Sequence, residues 1–256
     1  MIIAHIINPV KVSEDNKSYL YYTQPITFES MFKSKLYTEK NNKIEVNLYT
    51  INYQEDSSII PNYFIKLPDL IKSTKDLYPT ISKKKLPFLQ DIFNNILKYV
   101  EADYYVYTNT DIIISENFYE FIFKQIKRFN YDTIIVNRRD NIPKYINNIQ
   151  LNKEHLNIIS SIYGERHMGK DCFIIKNSIL KKINMRDMFV AYPPWGKILG
   201  NYLRAVSNNY KVFGGEYYTY HIGNDNSHGN SDKQDPMTQQ NYINAKVVET
   251  QFNLII

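Results

Sequence analysis

Short apolar runs recur along the chain: IIAHII (2–7), IEVNLYTI (44–51), DYYVYTN (103–109), DTIIVN (132–137), CFIIK (172–176) and EYYTYHI (216–222). They are rich in β-branched and aromatic residues and mostly unbroken in apolarity, the pattern of strands covered on both faces. Between them PITFESMFKSKLY (25–37), FLQDIFNNILKYV (88–100), ENFYEFIFKQIKRF (116–129) and KILGNYLRAVSN (197–208) place apolar residues three or four positions apart, which predicts helices. Pro25 and Pro87 sit where a helix can begin, Ser115 can cap the third helix, and a last helix is expected over 239–252.

Strand and helix alternate through the first half, which predicts βαβ units and one α/β domain with a mostly parallel central sheet flanked by helices. In such a sheet ligands bind at the carboxyl ends of the strands, which is where Asn109, Thr110 and Asp111 fall. The regularity weakens after Asn137: NIPKYINNIQLNKE (141–154) reads as loops and short helices, and 223–236 as a mobile polar loop.

Composition adjusts this picture only slightly. A chain of 256 residues with 43% hydrophobic and 22% charged residues is ordinary for one soluble domain. Heavy use of Asn, Lys, Ile and Tyr, with 8 glycines, fits an AT-rich coding bias. The net charge of +5 is spread along the chain instead of forming a basic arm, so it favours phosphate ligands weakly and argues against nucleic acid. The single cysteine, Cys172, forms no internal disulfide, and MIIAHIINPV is too short for a membrane span and lacks the features of a secretory signal. A cytoplasmic protein without a transmembrane segment is the expectation.

The chemistry concentrates at strand ends. Asp111, beside the carboxamide of Asn109, offers oxygen ligands for a hard divalent ion that would neutralise a diphosphate; the same residues also suit a turn that caps backbone amides. A long apolar strand closing on this Asp-x-Asp-like signature, after a βαβ half, resembles the GT-A glycosyltransferases, which transfer a sugar from a nucleotide diphosphate. In that family the signature holds Mn2+ or Mg2+ and the donor diphosphate, and here Asn109 stands in place of its first acid.

The resemblance implies a donor-binding half at 1–137, an acceptor-binding half at 138–256, and a UDP- or GDP-sugar as donor. It implies that His221, in YTYHIGND, completes the metal site with Asp111 and Asn109, or contacts the diphosphate, with Asp225 assisting on the acceptor side. A polar loop after His221 would close over the donor and exclude water. Asp171, in HMGKDCFIIK, corresponds to the acid that deprotonates the acceptor in inverting members, with Glu165 in reserve, whereas a retaining enzyme needs no such base; a salt bridge or cap explains either acid equally well. Ile7, Asn8 and Pro9 would line the base, Gln24 or Thr27 would add hydrogen bonds, Lys85 would meet phosphate, and Asp91 the base or ribose. Lysines 83–85 also fit a solvated helix start.

Arg138 or Arg139, after DTIIVN, suits the diphosphate or an anionic acceptor through its planar fork of donors. Trp195, in YPPWGK, would stack on an acceptor sugar or pack the core. Two rivals remain: a sugar nucleotidyltransferase, whose glycine-rich phosphate loop is missing from HIINPVKVSEDN, and a carbohydrate- or nucleotide-binding protein that kept the fold without activity.

Overall fold

The computed structural model describes residues 1–13, 18–140, 165–214, 216–222 and 234–252. Among the described residues nine strands form one sheet: β1 (Ile2–Ile7), β2 (Glu45–Thr50), β3 (Ile65–Lys66), β4 (Tyr104–Thr108), β5 (Ile112–Ile114), β6 (Thr133–Asp140), β7 (Glu165–Lys176), β8 (Tyr210–Phe213) and β9 (Thr219–His221). Their order is β3-β2-β1-β4-β7-β6-β9-β5, with β8 also beside β6. All run one way except β7, antiparallel to β4 and β6, and β5, antiparallel to β9. This is the single, mostly parallel α/β domain expected.

Strand residues alternate between two apolar layers, as a period of two requires. Tyr104, Val106, Cys172 and Ile174 join α1 (Leu20–Asn41) and α4 (Phe118–Phe129) through Phe28, Met31, Phe118 and Ile122. Tyr105, Tyr107, Phe173 and Ile175 face the opposite layer. It holds α3 (Leu89–Tyr99), α5 (Asn177–Leu180), α6 (Trp195–Val206) and α7 (Pro236–Phe252); α2 (Thr74–Leu77) is a single capped turn. Among the described residues no helix is long and apolar enough to cross a membrane.

Several boundaries differ from expectation for identifiable reasons. α1 begins at Leu20 because the amides of Tyr21, Tyr22 and Thr23 close a first turn on the carbonyls of Ser18 and Tyr19, so Pro25 lies inside the helix. Asn117, not Ser115, precedes α4, and the Ser115 hydroxyl bonds Asn117 Oδ1 at 2.9 Å. β6 and β7 continue past their apolar cores, pairing Arg139 with Arg166 and Asp140 with Glu165. Polar residues there are held by ladder bonds, which an apolar criterion does not detect. Ile112–Ile114 form a further short strand, β5, and the chain section 141–154 lies outside the described residues.

Candidate functional site

Strand register assembles the site at the carboxyl edge of β4. β7 runs against β4 with Thr108 opposite Cys172, so Asp171 meets the chain where β4 ends. There the Asn109 amide donates to the Asp171 carbonyl at 3.4 Å, and Asn109 Nδ2 donates to Asp171 Oδ1 at 3.0 Å. β9 pairs with β5 through His221 opposite Ile112, which sets His221 Nε2 3.2 Å from Asp111 Oδ2. β6 flanks β9 at Tyr220, and its last residue, Asp140, lies 3.2 Å from His221 Nδ1 through Oδ1. Arg138 completes the cluster: Nε and Nη2 donate to the two oxygens of Asp140 at 2.8 and 3.1 Å, and Nη1 donates to Asp171 Oδ2 at 2.7 Å.

Three carboxylates, one guanidinium and one imidazole therefore share a small, mostly buried volume, and they tune one another. Burial pulls the His221 imidazole down, but its hydrogen bonds to Asp111 and Asp140 outweigh this and lift it to about 10. Burial pushes Asp140 up, and the bonds from His221 and Arg138 overcome it and bring the carboxyl down to about 2. Asp111 stays below the usual carboxylate range in the same way, His221 and Arg138 prevailing over burial. Asp171 goes the other way: burial raises it and Asp111 adds to the rise, against the opposing charge of Arg138. Two neighbouring carboxyls driven apart in acidity are a common arrangement for acid and base work.

The other expected site residues divide into groups. Glu165 is exposed at the first position of β7, six residues before the buried Asp171. Trp195 is buried at the first position of α6, with ring centroids 6.1 Å from Tyr107 and 5.8 Å from Phe173. Its aromatic faces pack the core, so the expected sugar-stacking face is not exposed. Asn109 turns its amide nitrogen to Asp171. Asp225 lies outside the described residues, as does the polar loop around it.

On the donor side, Asn8 and Pro9 follow β1, and Tyr107 Oη donates to Asn8 Oδ1 at 3.0 Å. Gln24 is buried and ties α1 to this turn, accepting from the Val10 amide at 2.9 Å and donating to the Val10 carbonyl at 2.8 Å. Lys85 pairs with Glu55 at 2.7 Å and lies 4.1 Å over the Tyr53 ring. Asp91 is raised by burial, with Lys72 opposing, and its Oδ2 is buried without a hydrogen-bond partner among the described residues. Its charge also reaches Tyr53. Arg139 stacks on the Tyr217 ring at 3.9 Å, which leaves Arg138 as the arginine of the cluster.

Asp140 escaped the sequence reading because it ends a polar strand extension. The available signal was its spacing: in an extended NRRD, residues 138 and 140 share a face.

Among the described residues no group of three or more His, Cys, Asp or Glu side chains is arranged to hold a metal ion. The residues present nevertheless fit a divalent ion bound chiefly by substrate phosphates. Asp111 Oδ1 is buried with no hydrogen-bond partner among the described residues, and Asp111 Oδ2 lies beside an imidazole nitrogen that ligates once it sheds its proton.

No protein-family model matches the sequence, and no curated protein matches it. Solved structures do match the fold. The 1–349 fragment of S. aureus TarS in complex with UDP-GlcNAc superposes with a TM-score of 0.58 at 11% identity, over 98% of this chain and 66% of that one. Glucosyl-3-phosphoglycerate synthase from Mycobacterium tuberculosis, in complex with Mn2+, UDP and glucosyl-3-phosphoglycerate, superposes with a TM-score of 0.51 at 11% identity, over 99% of this chain and 81% of that one. The chain thus spans just under two thirds of the TarS fragment, and its fold is of the GT-A type.

Proposed function

We propose that the protein is a metal-dependent glycosyltransferase that moves a sugar from a nucleotide diphosphate to an acceptor hydroxyl of a glycan or glycoconjugate. The observation that carries this reading is the meeting of Asp111–His221 and Asp171–Arg138 at one strand edge of a GT-A fold. Similar folds bind UDP-GlcNAc in one case and UDP with Mn2+ in the other, which supports a UDP-sugar over a GDP-sugar as donor.

In this reading residues 1–137 carry the donor and 138–256 the acceptor. The nucleoside lies along Asn8, Pro9 and Asp91, while Gln24 acts indirectly by fixing the turn at Val10. Lys85 exchanges Glu55 for phosphate. Asp111 and His221 would hold Mn2+ or Mg2+ together with the donor's phosphates, and such an ion would supply positive charge to offset that on the leaving diphosphate. Asp171 is the base: its carboxylate takes the acceptor proton as the hydroxyl oxygen bonds the anomeric carbon and the bond to the diphosphate breaks. Asn109 and Arg138 hold both Asp171 oxygens in place until the acceptor arrives. Asn109 thus supports the base, which gives the missing first acid of the signature a use.

Donor hydrolysis and transfer measured over a panel of nucleotide sugars with Mn2+ test the reading. Asp111→Ala is expected to abolish turnover and metal-dependent nucleotide binding. Asp171→Asn is expected to retain nucleotide binding and lose roughly 100- to 10,000-fold in kcat, the usual worth of a positioned base. If no nucleoside diphosphate stabilises the wild type in the presence of Mn2+ or Mg2+, the proposal fails.

A further inference from the structure

Asp140 is the one member of the charged cluster without a part in the reaction just described, yet it touches both Arg138 and His221. Its carboxylate is mostly buried, with 18% of the side chain exposed. Oδ1 accepts from Arg138 Nε at 2.8 Å and lies 3.2 Å from His221 Nδ1; Oδ2 accepts from Arg138 Nη2 at 3.1 Å and lies 3.6 Å from His167 Nδ1.

A carboxylate that engages Nε and Nη2 of one guanidinium fixes its plane, because the fork has no rotational freedom left. The remaining Nη1 is thereby aimed at Asp171 Oδ2, 2.7 Å away. The same carboxylate holds Nδ1 of His221, which fixes the ring so that Nε2 points to Asp111 Oδ2 at 3.2 Å. Orienting a ligating imidazole through its other nitrogen is a general use of such carboxylates.

We propose that Asp140 is a positioning residue that joins the two halves of the site, setting Arg138 against Asp171 with one side of its carboxylate and His221 against Asp111 with the other. Its consequence for turnover rests on the glycosyltransferase reading; the positioning itself does not. Asp140 sits where it can do this because β6 continues in ladder with β7 to Asp140 opposite Glu165 and passes β9 at Tyr220.

The test compares wild type with Asp140→Asn, which keeps the size but offers one oxygen where two are needed, and with Asp140→Glu, which restores the charge one methylene further out. The first measurement is the NMR signal of the Arg138 Nε–H in the metal-free protein. It is expected to be protected from exchange in the wild type, lost in Asp140→Asn and partly recovered in Asp140→Glu. The second is Mn2+ affinity in the presence of UDP, followed by electron paramagnetic resonance, expected to weaken about 10- to 100-fold in Asp140→Asn, the usual effect of losing such a support. An unchanged Arg138 signal and unchanged Mn2+ affinity in a folded Asp140→Asn protein overturn the proposal, whatever its melting temperature. Should Asp140→Asn not fold, Asp140→Glu is read by the same two criteria against wild type, a signal and affinity equal to wild type counting against Asp140. If the wild type binds no UDP with Mn2+, the glycosyltransferase reading falls, and the Arg138 signal still decides whether Asp140 positions it.

Discussion

His5 shows how a single buried side chain makes stability depend on pH. It lies fully inside β1, with Nδ1 2.6 Å from Tyr119 Oη and Nε2 2.9 Å from Thr108 Oγ1, and burial lowers its pKa to about 3. One nitrogen donates and the other accepts, so the neutral ring satisfies both hydroxyls. The unfolded chain takes up a proton near the ordinary value of 6.5, and the folded chain does not until about 3. Between these values the unfolded state binds more protons, so His5 costs stability as pH falls through that window, by about 1.4 kcal/mol per pH unit at full slope. Urea unfolding from pH 7 to pH 4 is expected to show a shallower loss in His5→Gln than in wild type; parallel curves would remove His5 as the cause. Trp195 makes a second case. Because its ring is buried against Tyr107 and Phe173, Trp195→Ala is expected to cost about 3–5 kcal/mol in chemical denaturation. A weakened acceptor KM at unchanged stability would return Trp195 to the acceptor site.

At the scale of elements, α6 carries two glycines whose neighbours differ in kind. A Cβ on Gly196 would fall 2.6 Å from the Lys170 carbonyl oxygen, a backbone atom of β7 that cannot move without the strand. A Cβ on Gly200 would meet Lys170 Cδ and Nζ at 2.8 and 2.9 Å, the mobile end of a side chain. Gly196→Ala should therefore destabilise by about 1–3 kcal/mol, as overpacking does. At Gly200 the helix propensity gained, about 1 kcal/mol, offsets the displacement of Lys170, and Gly200→Ala should be near neutral. Equal urea midpoints for the two variants would show that β7 yields at Lys170. The same strand marks the limit of what the sequence reveals. CFIIK is legible because its apolar residues alternate between two cores, whereas Glu165–Asp171 is polar and becomes strand only by pairing with the equally polar end of β6. Long-range pairing leaves no apolar pattern, so Asp140 carried only its spacing from Arg138 as a signal, while Asp111 and Asp171 stood at the margins of apolar runs.

At the scale of the whole molecule, the order of β1, β2, β4, β6 and β7 and of α1, α3, α4 and α6 was readable because each of these buries apolar residues, whereas β3 and β8 bury few and were not. The joining of β9 to β5 and β6 was not, since three-residue strands such as Ile112–Ile114 and Thr219–His221 carry too few positions to show a period. Yet that joining brings His221, more than a hundred residues along the chain, against Asp111. The site is therefore a product of long-range strand pairing, and ligand binding there should be linked to global stability. A ligand at 100 times its Kd stabilises the folded state by about 2.7 kcal/mol. For a domain of this size each kcal/mol moves Tm by roughly 2–4 °C. If the proposed site holds, UDP with Mn2+ at that excess should raise Tm by about 5–10 °C, with UDP alone or Mn2+ alone giving less, because Asp111 and His221 would offer two ligands and the phosphates would supply others. Asp111→Ala should lose the metal-dependent part and keep whatever shift the nucleoside gives through Asn8, Pro9 and Asp91. A full shift in Asp111→Ala would place the metal elsewhere and break the link between the Asp111–His221 pair and the donor.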